Sequence, residues 1–220
     1  MNRMQRKRVA ILISGRGSNM AALLTAAQDP AYPAEISLVV SNRADAKGLP
    51  IAREAGIATV LVDHKQFKDR EAFERAMQHE IETHRIDILC LAGFMRLLTP
   101  WFISRWQGRM INIHPALLPA FKGLDTHERA LAAGVKIHGA TVHFVVPEMD
   151  SGPVIAQGAV TVHDDDSADT LAARVLAVEH KIYPMALRLL AEGRVRVEDE
   201  RCRIDGAQAN DHILLAPSEA

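Results

Sequence analysis

Val9-Ala10-Ile11-Leu12-Ile13-Ser14-Gly15-Arg16-Gly17-Ser18-Asn19 joins an unbroken apolar run to a glycine-rich break, and a helical stretch follows from Met20 to Gln28. A short run that is apolar at every position reads as a strand buried on both faces, the pattern of a central parallel strand. The same alternation continues outward. Ile36 to Ser41 reads as a second strand, interrupted by Asn42-Arg43-Ala44-Asp45, and a short helix from about Leu49 ends at Gly56. Thr59 to Asp63 reads as a third strand, and from Asp69 the chain is helical, with Phe73, Met77 and Ile81 on one face. Ile88 to Phe94 is another buried strand, and a helix around Pro100 to Trp106 leads to the strand Met110 to His114. Strands separated by helices from the amino terminus onward specify an α/β fold with a doubly wound, mostly parallel, Rossmann-like sheet.

The pattern then changes. Ile137 to Val146 and Val154 to Val162 are β-rich and separated only by the turn Pro147 to Pro153, so an antiparallel carboxyl-terminal extension of the sheet is expected. Asp164-Asp165-Asp166-Ser167 opens a long helix, about 167–192, whose apolar stripe is Leu171, Val175, Val178, Ile182 and Met185. Pro184 is expected to kink that helix or divide it in two. Short strands after Val195 and a weakly structured tail over about 205–220 complete a single expected domain, 1–220.

Hydrophobic residues make up 48% and charged residues 24% of the 220, ordinary usage for a chain long enough to bury a substantial core. A net charge of -1 argues against a nucleic-acid partner while leaving local basic pockets open. Cys90 and Cys202 lack metal-ligand or redox spacing, and no apolar run approaches membrane-spanning length. A cytoplasmic protein acting on small molecules is expected, either as a monomer or as a homodimer.

Three groups of residues carry candidate chemistry. Gly15-Arg16-Gly17-Ser18-Asn19 sits where the first strand meets the first helix. Glycines let the backbone approach an anion, and a helix amino terminus offers N–H donors. Met20 stands where a dinucleotide fingerprint needs a small residue, so a phosphate monoester suits this turn better than a pyrophosphate. The plain alternative is a tight turn with Ser18 as N-cap. Asn112-Ile113-His114-Pro115-Ala116-Leu117-Leu118-Pro119 places an amide and an imidazole at i and i+2, on one face of a strand that Pro115 ends. That pair is read equally well as a ligand-facing rim or as a buried hydrogen-bonded pair. Asp150, in Met149-Asp150-Ser151-Gly152-Pro153, is ordinary turn chemistry unless the fold brings it to His114; an acid there would favour the protonated ring.

Glu179 falls close to the apolar stripe of the long helix, where a buried carboxylate needs a partner or a ligand amine. Arg70 and Arg96 are candidate anion contacts. His127, His138 and His143 form no metal-ligand pattern, and His143, between Val142 and Phe144, reads as a core or supporting histidine.

Together these segments, with Leu91-Ala92-Gly93-Phe94-Met95-Arg96 and Glu179-His180-Lys181-Ile182-Tyr183-Pro184, resemble the glycinamide ribonucleotide formyltransferases, folate-dependent enzymes of purine synthesis. The likeness runs from Arg8 to about Glu192. It implies that Gly17, Ser18 and Asn19 hold the ribonucleotide phosphate and that Glu179 meets its ribose or glycinamide end. It implies a pocket for 10-formyltetrahydrofolate, the co-substrate, lined by Arg70, Met95, Arg96, Leu97, Leu98, Asn112, Val146, Pro147, Glu148, Met149 and Asp150. Asn112, His114 and Asp150 would form the catalytic set, with no metal and no covalent intermediate. In that chemistry the amine attacks the formyl carbon, and Asn112 with protonated His114 stabilises the tetrahedral oxyanion. Asp150 keeps His114 charged and helps move a proton through water to folate N10.

Three positions depart from the family pattern: Ser151 stands where a second glycine is frequent, Ala116 where serine is common, and Asp125 where histidine is familiar. Two relatives of similar core, formyltetrahydrofolate deformylase and methionyl-tRNA formyltransferase, resemble longer chains with a further domain. A nicotinamide-dependent oxidoreductase, with Arg43 near a 2′-phosphate, is the alternative from another class; it leaves Asn112, His114 and Asp150 without a task.

Overall fold

The structure is a computed structural model that describes residues 6–207 and 214–216. In chain order its elements are β1 (Lys7–Ile13), α1 (Ser18–Ala27), β2 (Ala34–Ser41), α2 (Gly48–Glu54), β3 (Ala58–Leu61), α3 (Arg70–Thr83), β4 (Ile88–Leu91), α4 (Pro100–Arg105) and β5 (Met110–His114). Then follow α5 (Thr126–Ala132), β6 (Ile137–Phe144), β7 (Val154–Thr161), α6 (Ala168–Ala191), β8 (Val195–Glu198) and β9 (Arg201–Ile204).

Seven strands form one sheet in the order β3-β2-β1-β4-β5-β6-β7. The first five are mutually parallel; β6 runs antiparallel to β5, and β7 antiparallel to β6. β8 and β9 pair as a separate antiparallel ribbon. The two-residue period of β1 divides the core: Val9, Ile11 and Ile13 pack with Leu23, Leu49, Val175 and Tyr183, whereas Ala10 and Leu12 pack with Phe73, Met77 and Phe102 on the other face. The sheet is therefore covered on both sides, which is why β1 is apolar throughout.

The chain leaves β1 for β2 and β3 on one side, then returns to place β4 on the other. Strand order reverses between β1 and β4, and crevices form at the carboxyl ends of strands at such a point. Here Ala92 N–H donates to Leu12 O (2.9 Å) and Ser14 N–H to Gly93 O (3.1 Å), so the loops after β1 and β4 lie side by side.

Several details differ from the sequence reading. Gly17, not Ser18, is the N-cap of α1; it adopts φ 77°, and Ser18 is the first helical residue. The reason is close packing: a Cβ on Gly17 would lie 2.8 Å from Gly48 Cα, so the turn needs a left-handed residue with no side chain. β4 ends at Leu91, before Gly93 (φ 72°), and β6 ends at Phe144. α6 runs through Pro184 as one element rather than two, and Ser167 and Thr170 form a capping box at its start. α5 was absent from the sequence reading. Of the tail expected over 205–220, residues 208–213 and 217–220 lie outside the described residues.

Candidate active site

The strand β5 ends in the pair that the sequence singled out, and β6 pairs against it so that Asn112 faces His143 and His114 faces Thr141. The β6–β7 turn then folds back over this rim. Gly152 makes that possible, since a Cβ there would sit 1.8 Å from Phe144 O. The turn delivers Asp150, itself at φ 50°, to the imidazole: His114 Nδ1 lies 3.5 Å from Asp150 Oδ2, with only 6% and 11% of the two side chains exposed.

The other side of the His114 ring is also occupied. Nε2 lies 3.0 Å from Phe121 O, and Gly123 N–H donates to Asp150 Oδ2 at 2.9 Å. One loop, 119–125, thus holds both members of the pair. Both ring nitrogens therefore face oxygens that can accept, Nδ1 the Asp150 carboxylate and Nε2 the Phe121 carbonyl. The Nδ1–carboxylate separation is a charge contact rather than a hydrogen bond, which leaves that N–H able to serve a third oxygen.

His143 has a different state. Burial pushes its pKa down, against smaller opposing effects of its bond to the Phe144 backbone and of Asp150. Nδ1 contacts Phe144 O at 2.8 Å, which makes Nδ1 the N–H donor and Nε2 an acceptor. Nε2 receives Asn112 Nδ2–H at 3.3 Å. A neutral His143 therefore orients the Asn112 amide, whose second N–H has no partner among the described residues. His127 and His138 stack edge to face with centroids 5.4 Å apart; both are depressed chiefly by burial, His138 to about 4.

Beside these groups opens a cavity of about 640 Å³, a volume suited to a flat heterocycle with a tail. Its wall includes Met95, Arg96, Leu97 and Leu98 from the loop after β4, Val146, Pro147, Glu148, Met149 and Asp150 from the β6–β7 turn, and Asn112 and His114. Met95, Leu97, Leu124 and Met149 are 67%, 60%, 73% and 50% exposed, an apolar rim unusual on a surface without a ligand. Arg70 is placed elsewhere: it opens α3, is exposed, and is not among the residues lining the cavity.

The second half of the site is the turn after β1. Gly17, Ser18 and Asn19 bring the first N–H groups of α1 together. Asn19 Nδ2 donates to Glu179 Oε2 at 2.6 Å, a contact between residues 160 apart in sequence. Glu179 is buried, which raises its carboxyl pKa; the Asn19 bond works the other way. Asn19 Oδ1, also buried, has no hydrogen-bond partner among the described residues. One turn along α6, Tyr183 donates to Leu91 O (3.0 Å) and Ile111 O (3.3 Å), fixing α6 against the two strands that end at the cavity.

The family departures are absorbed locally. Ser151 donates to Met149 O and accepts from Lys122 Nζ, Ala116 is fully buried, and Asp125 is the left-handed N-cap of α5 with no side-chain capping bond. Sequence reasoning missed the roles of Phe121 O and Gly123 N–H, which are backbone groups and leave no side-chain signal.

Residues 7–187 match the family model described as formyl transferase. The chain is 46% identical over 198 residues to phosphoribosylglycinamide formyltransferase of Escherichia coli (strain K12), covering 90% of this chain and 93% of that protein. It is 49% identical over 193 residues to the trifunctional purine biosynthetic protein adenosine-3 of Bos taurus, but spans only 19% of that longer protein. Glycinamide ribonucleotide transformylase 1 from Symbiobacterium toebii superposes with a TM-score of 0.89 at 44% identity, over 90% of this chain and 94% of that one. The chain belongs to the formyl transferase family, among the phosphoribosylglycinamide formyltransferases.

Proposed function

We propose that this chain transfers the formyl group of 10-formyltetrahydrofolate to the amine of glycinamide ribonucleotide in purine synthesis, giving the N-formyl product and tetrahydrofolate. The observation that carries the reading is the placement of His114, between Asp150 and Phe121 O and two residues from Asn112, at the mouth of a folate-sized cavity.

The chemistry follows from those positions. The folate pteridine enters the apolar wall of Met95 to Leu98 and Val146 to Met149, and its N10 formyl group lies over Asn112. The ribonucleotide phosphate binds the N–H groups at Gly17, Ser18 and Asn19. Its amine or ribose hydroxyls donate to Glu179 and to the unpartnered Asn19 Oδ1. The neutral amine attacks the formyl carbon, and the carbonyl oxygen becomes an oxyanion held by the second Asn112 N–H and by the His114 N–H. Asp150, beside the imidazole, accepts a proton from the attacking amine through water and passes it back through water to N10 as the bond between N10 and carbon breaks.

Hydrolysis of the formyl group is the second reading, since the same oxyanion site would serve water. The Asn19–Glu179 pair disfavours it, because water as acceptor gives that buried carboxylate no ligand. Mixing the protein with 10-formyltetrahydrofolate, with and without glycinamide ribonucleotide, tests the choice. Release of tetrahydrofolate only when the ribonucleotide is present supports transfer; equal release without it means deformylation.

A further inference from the structure

The Met95–Leu98 segment is irregular backbone between β4 and α4, and two of its apolar side chains, Met95 and Leu97, are mostly exposed. Arg96, Leu97 and Leu98 make no backbone hydrogen bond among the described residues, so nothing within the segment fixes its shape. It is held at its two ends by side chains that come from elsewhere. At the first end, Met95 N–H donates to Ser14 Oγ (2.8 Å), and the same hydroxyl donates to Asn42 Oδ1 (2.6 Å) at the end of β2. Ser14 is 5% exposed and immediately precedes the Gly15–Asn19 turn. At the other end, Thr99 N–H donates to Glu74 Oε1 (2.7 Å) and Thr99 Oγ1 to Glu74 Oε2.

Glu74 is the more telling of the two. It is fully buried in the middle of α3, and among the described residues it forms no ion pair. A carboxylate taken out of water without a cation is costly, and only its hydrogen bonds offset that cost. The simplest purpose would be to anchor the positive end of α4. Thr99, however, is the N-cap of α4 and directly follows Leu98, the last residue of the folate wall, so the two tasks meet at this junction.

We propose that Ser14 and Glu74 are positioning residues for the folate: together they set the height of the Met95–Leu98 wall over the cavity, and so the affinity for the folate co-substrate but not for the ribonucleotide. This rests on reading that segment as a folate wall. Neither residue lines the cavity, so each acts only through the backbone that it holds.

The test uses Ser14→Ala, Glu74→Ala, Glu74→Gln and Thr99→Val in the full chain. Binding of 5-formyltetrahydrofolate and of glycinamide ribonucleotide is measured by calorimetry, alongside steady-state transfer and Tm. Ser14→Ala and Thr99→Val should weaken folate binding roughly 5-fold, and Glu74→Ala roughly 10-fold or more, the value of one or two hydrogen bonds. The ribonucleotide Kd should stay within about 2-fold, since no lost bond touches its turn. Glu74→Gln keeps an acceptor for Thr99 N–H and a donor for Thr99 Oγ1, so it should restore folate affinity even if Glu74→Ala fails to fold. Equal losses for both ligands, or a lowered Tm with unchanged folate Kd in Ser14→Ala and Thr99→Val, would overturn the proposal. Folate binding without formyl transfer in the wild type would contradict the proposed function instead, and leave these affinity comparisons to decide the positioning role.

Discussion

At the residue scale, His114 and Asp150 act as one unit, and their roles separate by what each touches. Removing the groups that stabilise the oxyanion and move its proton should be costly: His114→Ala and Asp150→Ala are each expected to lower kcat by about 10² to 10³ while leaving ribonucleotide affinity nearly intact. A variant of either that turns over at the wild-type rate would contradict its role. His143→Phe supplies a subtler check, because Asn112 loses the acceptor that orients its amide. A fall in kcat of roughly 10-fold, with both substrate affinities retained, is expected from one misdirected donor. Asn112 and His114 were legible in the sequence because a strand end concentrates two polar groups after an apolar run. Asp150 was not, on local grounds: Asp-Ser-Gly-Pro reads as a turn, and its use depends on Gly152 letting that turn fold against Phe144. Ser14 and Glu74 were hidden for a similar reason, one closing an apolar strand and the other lying beside Phe73 in an amphipathic helix.

At the scale of elements, the turn after β1 works only because it approaches α2 so closely. Gly17→Ala adds a Cβ that meets Gly48 Cα at 2.8 Å and forces a left-handed alanine, a strain of about 1–2 kcal/mol before any clash. The amino end of α1 should shift away from the phosphate, raising the ribonucleotide KM by 10-fold or more with little change for folate. Equal changes for both substrates would place the phosphate elsewhere. Most elements were readable because their periods are plain: β1 is apolar throughout, and Phe73, Met77 and Ile81 mark α3. α5 was not readable, since it is seven residues long and buries only Thr126 and Ala130. Pro184 does not divide α6, which passes through it as one helix whose Pro184 O accepts from Tyr32 Oη (2.7 Å).

At the scale of the whole molecule, buried neutral histidines link stability to pH. The His138 ring is 1% exposed and holds its proton only below about pH 4, against 6.5 in the unfolded chain. Between those values the unfolded chain binds more protons, so acid favours unfolding; above pH 6.5 the group contributes nothing. His127 and His143 are depressed in the same direction. The wild-type Tm should therefore fall on acidification from pH 6.5 toward 4, with His138 responsible for at most about 3 kcal/mol. His138→Gln should flatten that profile; an unchanged slope would show that His138 titrates normally. The doubly wound order itself was legible, because alternating strands and helices leave few topologies. What no local pattern encodes is that α6 returns across the sheet to set Glu179 against Asn19, which completes the proposed ribonucleotide site.

The most direct measurement follows the formyl carbon itself. With 10-formyltetrahydrofolate labelled at that carbon and glycinamide ribonucleotide in excess, the label should appear on the ribonucleotide nitrogen, one for each tetrahydrofolate released. Label recovered as free formate, with the ribonucleotide amine unmodified, would contradict the account.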